Sequence, residues 1–264
     1  PLNQTLDIHE RFMSDAPLSI SNYCACFIDL LGQKDALKGQ NIMPELNSDE
    51  VKAKFLSTVQ KSVGAIGRLQ MHAEFFRKGA AETATFRDSL SPEEQALYDE
   101  MASPKAKQQR WSDGLVFYHS LNIQQNKCPM SAVLDMFMLS GTLCMLGLAD
   151  KQPIRGAIET SWGVELHNNE LYGAVVANSY LLESNVAQYP RIVIGEHTMH
   201  YLKSHLEDNQ DPNDKLSLYN RNLAVKCLNM TAIDQDGHAI LNYLGEEFKS
   251  SVFHNESKEL YAKA

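Results

Sequence analysis

Apolar residues run almost without alternation from 22 to 31 and close on Gly32. A short unbroken run of that kind predicts a strand buried on both faces. Residues 33–48 are polar, contain Gly39 and Pro44, and read as a loop; Asp49 and Glu50 then open a helical pattern that runs to 76. An acidic first turn suits the positive end of the helix dipole. Ser91-Pro92-Glu93-Glu94 announces a second helix over 92–101, since serine caps a helix start and proline fits its first turn. Two strands, 107–111 and 115–120, follow around Ser112-Asp113-Gly114, where Asp-Gly signals a hairpin. The most apolar stretch predicts a buried helix over 131–148, and 154–160 another strand.

Beyond a polar loop at 167–169, a glycine-led helix is expected from 172 to 184, a strand at 189–194 and a short helix at 197–206. Residues 207–215 read as an acidic loop. The segments 224–233 and 238–244 read as a hairpin around Asp234-Gln235-Asp236-Gly237, and 246–262 as a closing helix. Strands interleaved with helices, and also joined by hairpins, predict an α/β fold of the α+β sandwich type. Residues 1–21 read as an N-terminal arm and 22–264 as a single domain.

Composition narrows the function. With 264 residues, 44% of them hydrophobic, the chain can bury one substantial core. A net charge of −9 argues against nucleic acid, whose backbone demands a basic stripe. The five cysteines lack the paired spacing of a zinc site and read as buried thiols of a reducing cytoplasm. Residues 1–10 lack the pattern of a signal peptide, and the 132–148 run is interrupted by Asp135, so no membrane anchor is expected.

Chemistry concentrates on two carboxylates at strand ends, Asp29 and Asp113. Adjacent strands would set them side by side, and paired carboxylates are how Mg²⁺ and Mn²⁺ are held beside phosphates. A turn residue is the plain alternative for Asp113. For Arg155 the alternatives are a phosphate clamp and a strand arginine paired with Glu159 or Glu183; for Lys226, a triphosphate ligand and a surface lysine.

Phe27-Ile-Asp-Leu-Leu-Gly32 resembles the metal-binding strand of class III nucleotidyl cyclases. Arg110-Trp-Ser-Asp-Gly-Leu-Val-Phe-Tyr118 resembles their second metal-binding hairpin. Ile154-Arg-Gly-Ala-Ile158 is similar to a core strand, and Tyr172-Gly-Ala-Val-Val-Ala-Asn-Ser-Tyr-Leu-Leu-Glu183 to the catalytic helix. Within that superfamily the chain looks most like the bacterial pyrimidine cyclases of Pycsar antiphage signalling, which convert UTP or CTP to the 3′,5′-cyclic monophosphate and pyrophosphate.

The resemblance implies a mainly antiparallel mixed sheet flanked by helices. It also implies two divalent ions, Mn²⁺ or Mg²⁺, on Asp29, Asp113 and the Leu30 carbonyl. Leu31, Gly32, Gln33 and Lys226 would hold the triphosphate. Gln109, Arg110, Glu170 and Tyr172 fall near the positions that read the base. The site would lie between the subunits of a cytoplasmic homodimer, with the helix of Tyr180, and Arg155, facing the metals from the other subunit, and the product would act on a separate effector. UTP is favoured over CTP. An atypical adenylyl or guanylyl cyclase and an inactive nucleotide-binding regulator are the alternatives. The chain departs from the wider family pattern at Ala177 and Leu181, where an asparagine and an arginine are expected; Asn178 is one residue out of register, about 100° round the helix. Arg155 is the nearest substitute cation.

Overall fold

The computed structural model describes residues 20–32, 38, 42–82, 88, 90–101, 106–111, 114–124, 126–166, 170–207 and 214–252, with backbone alone for 75–82, 207 and 252. Its elements in order are β1 (Ile20–Leu30), α1 (Asp49–Glu82), α2 (Pro92–Met101), β2 (Lys107–Trp111), β3 (Gly114–Ser120), α3 (Pro129–Ala149) and β4 (Ile154–Leu166). Then come β5 (Glu170–Tyr172), α4 (Ala174–Asn185), β6 (Ile192–Ile194), α5 (Glu196–Glu207), α6 (Lys215–Asn229), β7 (Thr231–Ile233), β8 (Ala239–Leu241) and α7 (Glu246–Val252).

One sheet runs in the order β2-β3-β1-β4-β6-β8-β7, with β5 added to β4. Every pairing is antiparallel except β4 with β6, which α4 links by a crossover. The expected mixed, mainly antiparallel sheet flanked by helices is what forms.

The unbroken apolar run of β1 has a direct cause: both of its faces are covered. Cys24, Cys26, Ile28 and Leu30 enter the main core beneath α1, α3, α5, α6 and α7. Tyr23, Ala25 and Phe27 point the other way, into a smaller cluster with Val116, Tyr118, Leu171, Val175 and Val176. That second face is covered by α4, which packs on β1 and β4. All five cysteines are free and buried, and burial pushes the Cys24 thiol up to about 12. The centre of the main core is α3. It is long and apolar enough to cross a membrane by composition, yet most of it is enclosed by the protein. Buried His119 on β3 is tied to Asp135 of this helix at 2.8 Å.

Three expectations change. Residues 215–229, read in part as loop and in part as strand, form α6. Asp214 caps it, its carboxylate accepting from the N–H groups of Leu216 and Ser217, and Leu223, Ala224 and Cys227 supply its buried face. The strand expected at 154–160 continues to Leu166, carried on by β5, which sequence periodicity did not reveal in three residues. The strand at 189–194 shrinks to Ile192–Ile194. Ile20 and Ser21, read as the end of the N-terminal arm, belong to β1; the rest of that arm and the closing helix beyond Val252 lie outside the described residues.

Candidate functional site

Asp29 is the penultimate residue of β1 and projects to the α4-covered face. Its register partners are Gly114 on one side and Arg155 on the other. Arg155 Nη2 lies 3.3 Å from Asp29 Oδ2, its Nε lies 2.6 Å from Glu183 Oε1, and its Nη1 donates to the Ala187 carbonyl at 3.4 Å. Glu183, on α4, is 2% exposed, whereas Asp29 and Arg155 keep about a fifth of their side chains open. A planar guanidinium presents donors in several directions and so joins two carboxylates at once. The Glu183 charge, taken out of water, requires such a partner. Of the two sequence readings of Arg155, the strand arginine paired with Glu183 is the one that forms, and the same guanidinium also touches Asp29, the carboxylate expected to hold metal.

An aromatic wall stands next to Asp29. Phe27 packs edge-on against Trp111 and Tyr180, with ring centroids 5.7 and 5.4 Å away. Trp111 and Tyr180 remain partly exposed. Farther along the same face, Gln109 Oε1 accepts from the Leu171 N–H at 3.0 Å. Two strand steps and two residues separate Gln109 from Asp29, about 12 Å on sheet geometry. At the far end Lys107 pairs with Glu165 at 2.5 Å, and Tyr118 donates to the same carboxylate at 3.3 Å. Burial, and then the nearby Glu165, drive the Tyr118 phenol well above its ordinary value.

After β1 the chain turns sharply. The Leu31 N–H donates to the Pro153 carbonyl at 3.0 Å, which removes it from the expected phosphate cradle. Gly32 has φ +86, and a Cβ placed on it would meet nothing within 4 Å. The turn is therefore left-handed and open on the side a ligand would approach. Leu30, whose carbonyl was expected to ligate metal, is buried at the end of the strand. Gln33 and Asp113 lie outside the described residues, although Gly114, the residue after Asp113, pairs with Asp29.

Other candidates are not gathered here. Lys226 sits on α6 rather than in a strand, and α6 packs in the layer on the opposite face of the sheet. Arg110 alternates with Gln109 along β2 and so points to the other face. On β5 it is Leu171 that enters the site-face cluster; Glu170 and Tyr172 point away and hydrogen-bond each other at 3.3 Å. Of the four expected base readers, Gln109 alone is on the face of Asp29. Among the described residues no three His, Cys, Asp or Glu side chains converge as a metal set. On α4, Ala177 and Leu181 are exposed, so no cation rises from that surface at the two positions noted.

Sequence reasoning missed the anchor of the β7–β8 hairpin. Buried Arg191 bonds Asp234 at 2.7 Å, Asp236 at 2.6 Å and the Val186 carbonyl at 2.6 Å, while Tyr189 donates to Asp234 and stacks under the guanidinium at 4.3 Å. The signal was an arginine just ahead of an apolar strand and two aspartates at a distant turn, which no local pattern connects. The Arg191 hydrogen bond holds the Asp236 carboxyl down at about 2, below the ordinary aspartate near 3.9. A depressed native value means the unfolded chain binds the proton first. This link thus contributes above pH ~4 and is lost as pH falls through about 2. Thermal melts between pH 5 and 2 are expected to show a steeper loss for the natural chain than for Asp236→Asn; equal slopes would refute the link.

Comparison of the chain with protein-family models and with curated proteins returned no match.

Proposed function

We propose that the protein is a pyrimidine nucleotide cyclase that converts UTP to 3′,5′-cyclic UMP and pyrophosphate. The observation that carries this reading is Asp29. It is a part-exposed carboxylate at a strand end beside an open left-handed turn, and it pairs in register with the residue after Asp113. Hard oxygen donors of this type fit Mg²⁺ or Mn²⁺, which would be held by Asp29, Asp113 and the Leu30 carbonyl. When bound, two such ions would lower the pKa of the ribose 3′-hydroxyl and neutralise charge on the triphosphate.

The chain's own groups do the positioning. Gly32 lets phosphate approach the backbone, and the part-exposed Trp111 and Tyr180, backed by buried Phe27, stand beside the carboxylate. Gln109 lies at about the reach of a nucleoside from Asp29 and carries an amide suited to a pyrimidine edge. Arg155, held by Glu183, is already within hydrogen-bonding range of the site and supplies the cation that α4 lacks. A homodimer in the cytoplasm, with the exposed surface of α4 facing its partner, completes the reading, and the product would act on a separate effector.

Incubating the purified protein with each of the four ribonucleoside triphosphates and Mn²⁺ tests it. Cyclic UMP is the expected product, and Asp113→Ala is expected to abolish it with the fold retained. Cyclic CMP would redirect the substrate, a purine product would favour an atypical adenylyl or guanylyl cyclase, and no product would favour an inactive regulator.

A further inference from the structure

A groove of about 730 Å³ lies on the far side of α4 from the aromatic wall, between α4, the start of α5 and the β7–β8 hairpin. Its floor holds a buried carboxylate. Glu159 Oε1 is saturated, accepting from the Thr160 N–H at 2.7 Å and from the N–H and hydroxyl of Thr198 at 3.2 Å each. Its second oxygen faces Gly195, where any Cβ would stand 2.1 Å away, and lies 3.5 Å from His197 Nδ1. Glycine at 195 thus lets the backbone come this close to the carboxylate. Glu159 is 3% exposed; protein groups satisfy Oε1, and among the described residues His197 stands nearest to Oε2 as an ion-pair partner.

The rim carries one lysine and three imidazoles. His200 and Lys203 follow His197 along α5, and His238 stands across from them on the hairpin, while Glu196 adds one acid at the helix start. Among the described residues the side chains of His200 and Lys203 have no ion pair or hydrogen bond. Asn178, which is out of register for the cyclase pattern, lines this groove with its amide. The volume falls in the range of small-molecule sites, which pair apolar walls with a few convergent polar groups.

We infer that this groove is a second ligand site, for a phosphate monoester of a hydroxylated body such as a nucleoside monophosphate. Lys203, His200 and His238 take the phosphate, and Glu159 Oε2 at the groove floor accepts from a hydroxyl of the sugar, as acidic side chains do for ribose. Val186 and Ile194 pack against the apolar part of the ligand. Glu159 is four residues along β4 from Arg155, about 13 Å, so the two sites are separate.

Uridine 5′-monophosphate, added to the full chain in EDTA, is the probe, with uridine as the control lacking phosphate. Backbone amides of Gly195 and Gly237, read by NMR, are expected to shift with the monophosphate and not with uridine. Reversing the exposed rim charges in His200→Glu/Lys203→Glu is expected to weaken binding at least tenfold, and Asn178→Ala severalfold. Asp29→Asn is expected to leave it unchanged. Equal shifts with uridine, or no shift at either glycine, would overturn the site. Binding that survives the rim reversal but is lost in Asp29→Asn would place the nucleotide at Asp29 and equally overturn it. None of these readouts requires cyclase activity, so the outcome is independent of that reading.

Discussion

Asp29→Asn is expected to reduce cyclic nucleotide formation about a thousandfold, roughly 4 kcal/mol of transition-state stabilisation. The amide keeps the shape and loses the charge, so it no longer holds a divalent ion or balances a guanidinium. Its effect on folding is expected to be small, because Arg155 retains Glu183 at 2.6 Å and the Ala187 carbonyl. Glu183, the more deeply buried of the two acids, is thereby never left alone. Turnover with Mn²⁺ and a thermal melt on the same preparation make the check. Full activity with an unchanged melt would remove Asp29 from the chemistry.

The largest stability effect is expected at Phe248, on α7. Its ring is fully buried in the main core and lies over Gly141 of α3 so closely that a Cβ there would be 2.2 Å from it. Phe248→Ala empties that space and is expected to cost about 4 kcal/mol in urea unfolding. Gly141→Ala overfills the same space and is expected to cost about 2 kcal/mol. The two changes share one volume, so the double variant should be less destabilised than the sum of the singles. Strict additivity would show that the ring and the glycine do not act on each other.

Much of the fold was legible because its central elements are buried on a repeating pattern. β1 announced itself by lacking alternation, α2 by Ser91 and Pro92, and α3 by apolar length. The helix α6 was not, although Asp214 and the spacing of Leu223, Ala224 and Cys227 mark it. The valine, cysteine and leucine near its end also suit a strand, and the choice is made by packing against α3 and α5. Asp29 and Arg155 were singled out from sequence. Their contact was not, since it arises from β1–β4 register across more than a hundred residues. The same limit explains the base readers: Gln109 and Arg110 are neighbours in the chain, and the pleat sends them to opposite faces.

The Arg155 bridge between β1, β4 and α4 bears on the metal role proposed for Asp29. A carboxylate reserved for an ion usually repels its surroundings until that ion arrives, and the scaffold then depends on supply. Here the charge of Asp29 is balanced from within the same chain. On the proposed reading, a divalent ion arriving at Asp29 would compete with this resident guanidinium. Its affinity would then be set as much by how firmly Glu183 draws Arg155 away as by the ligands themselves.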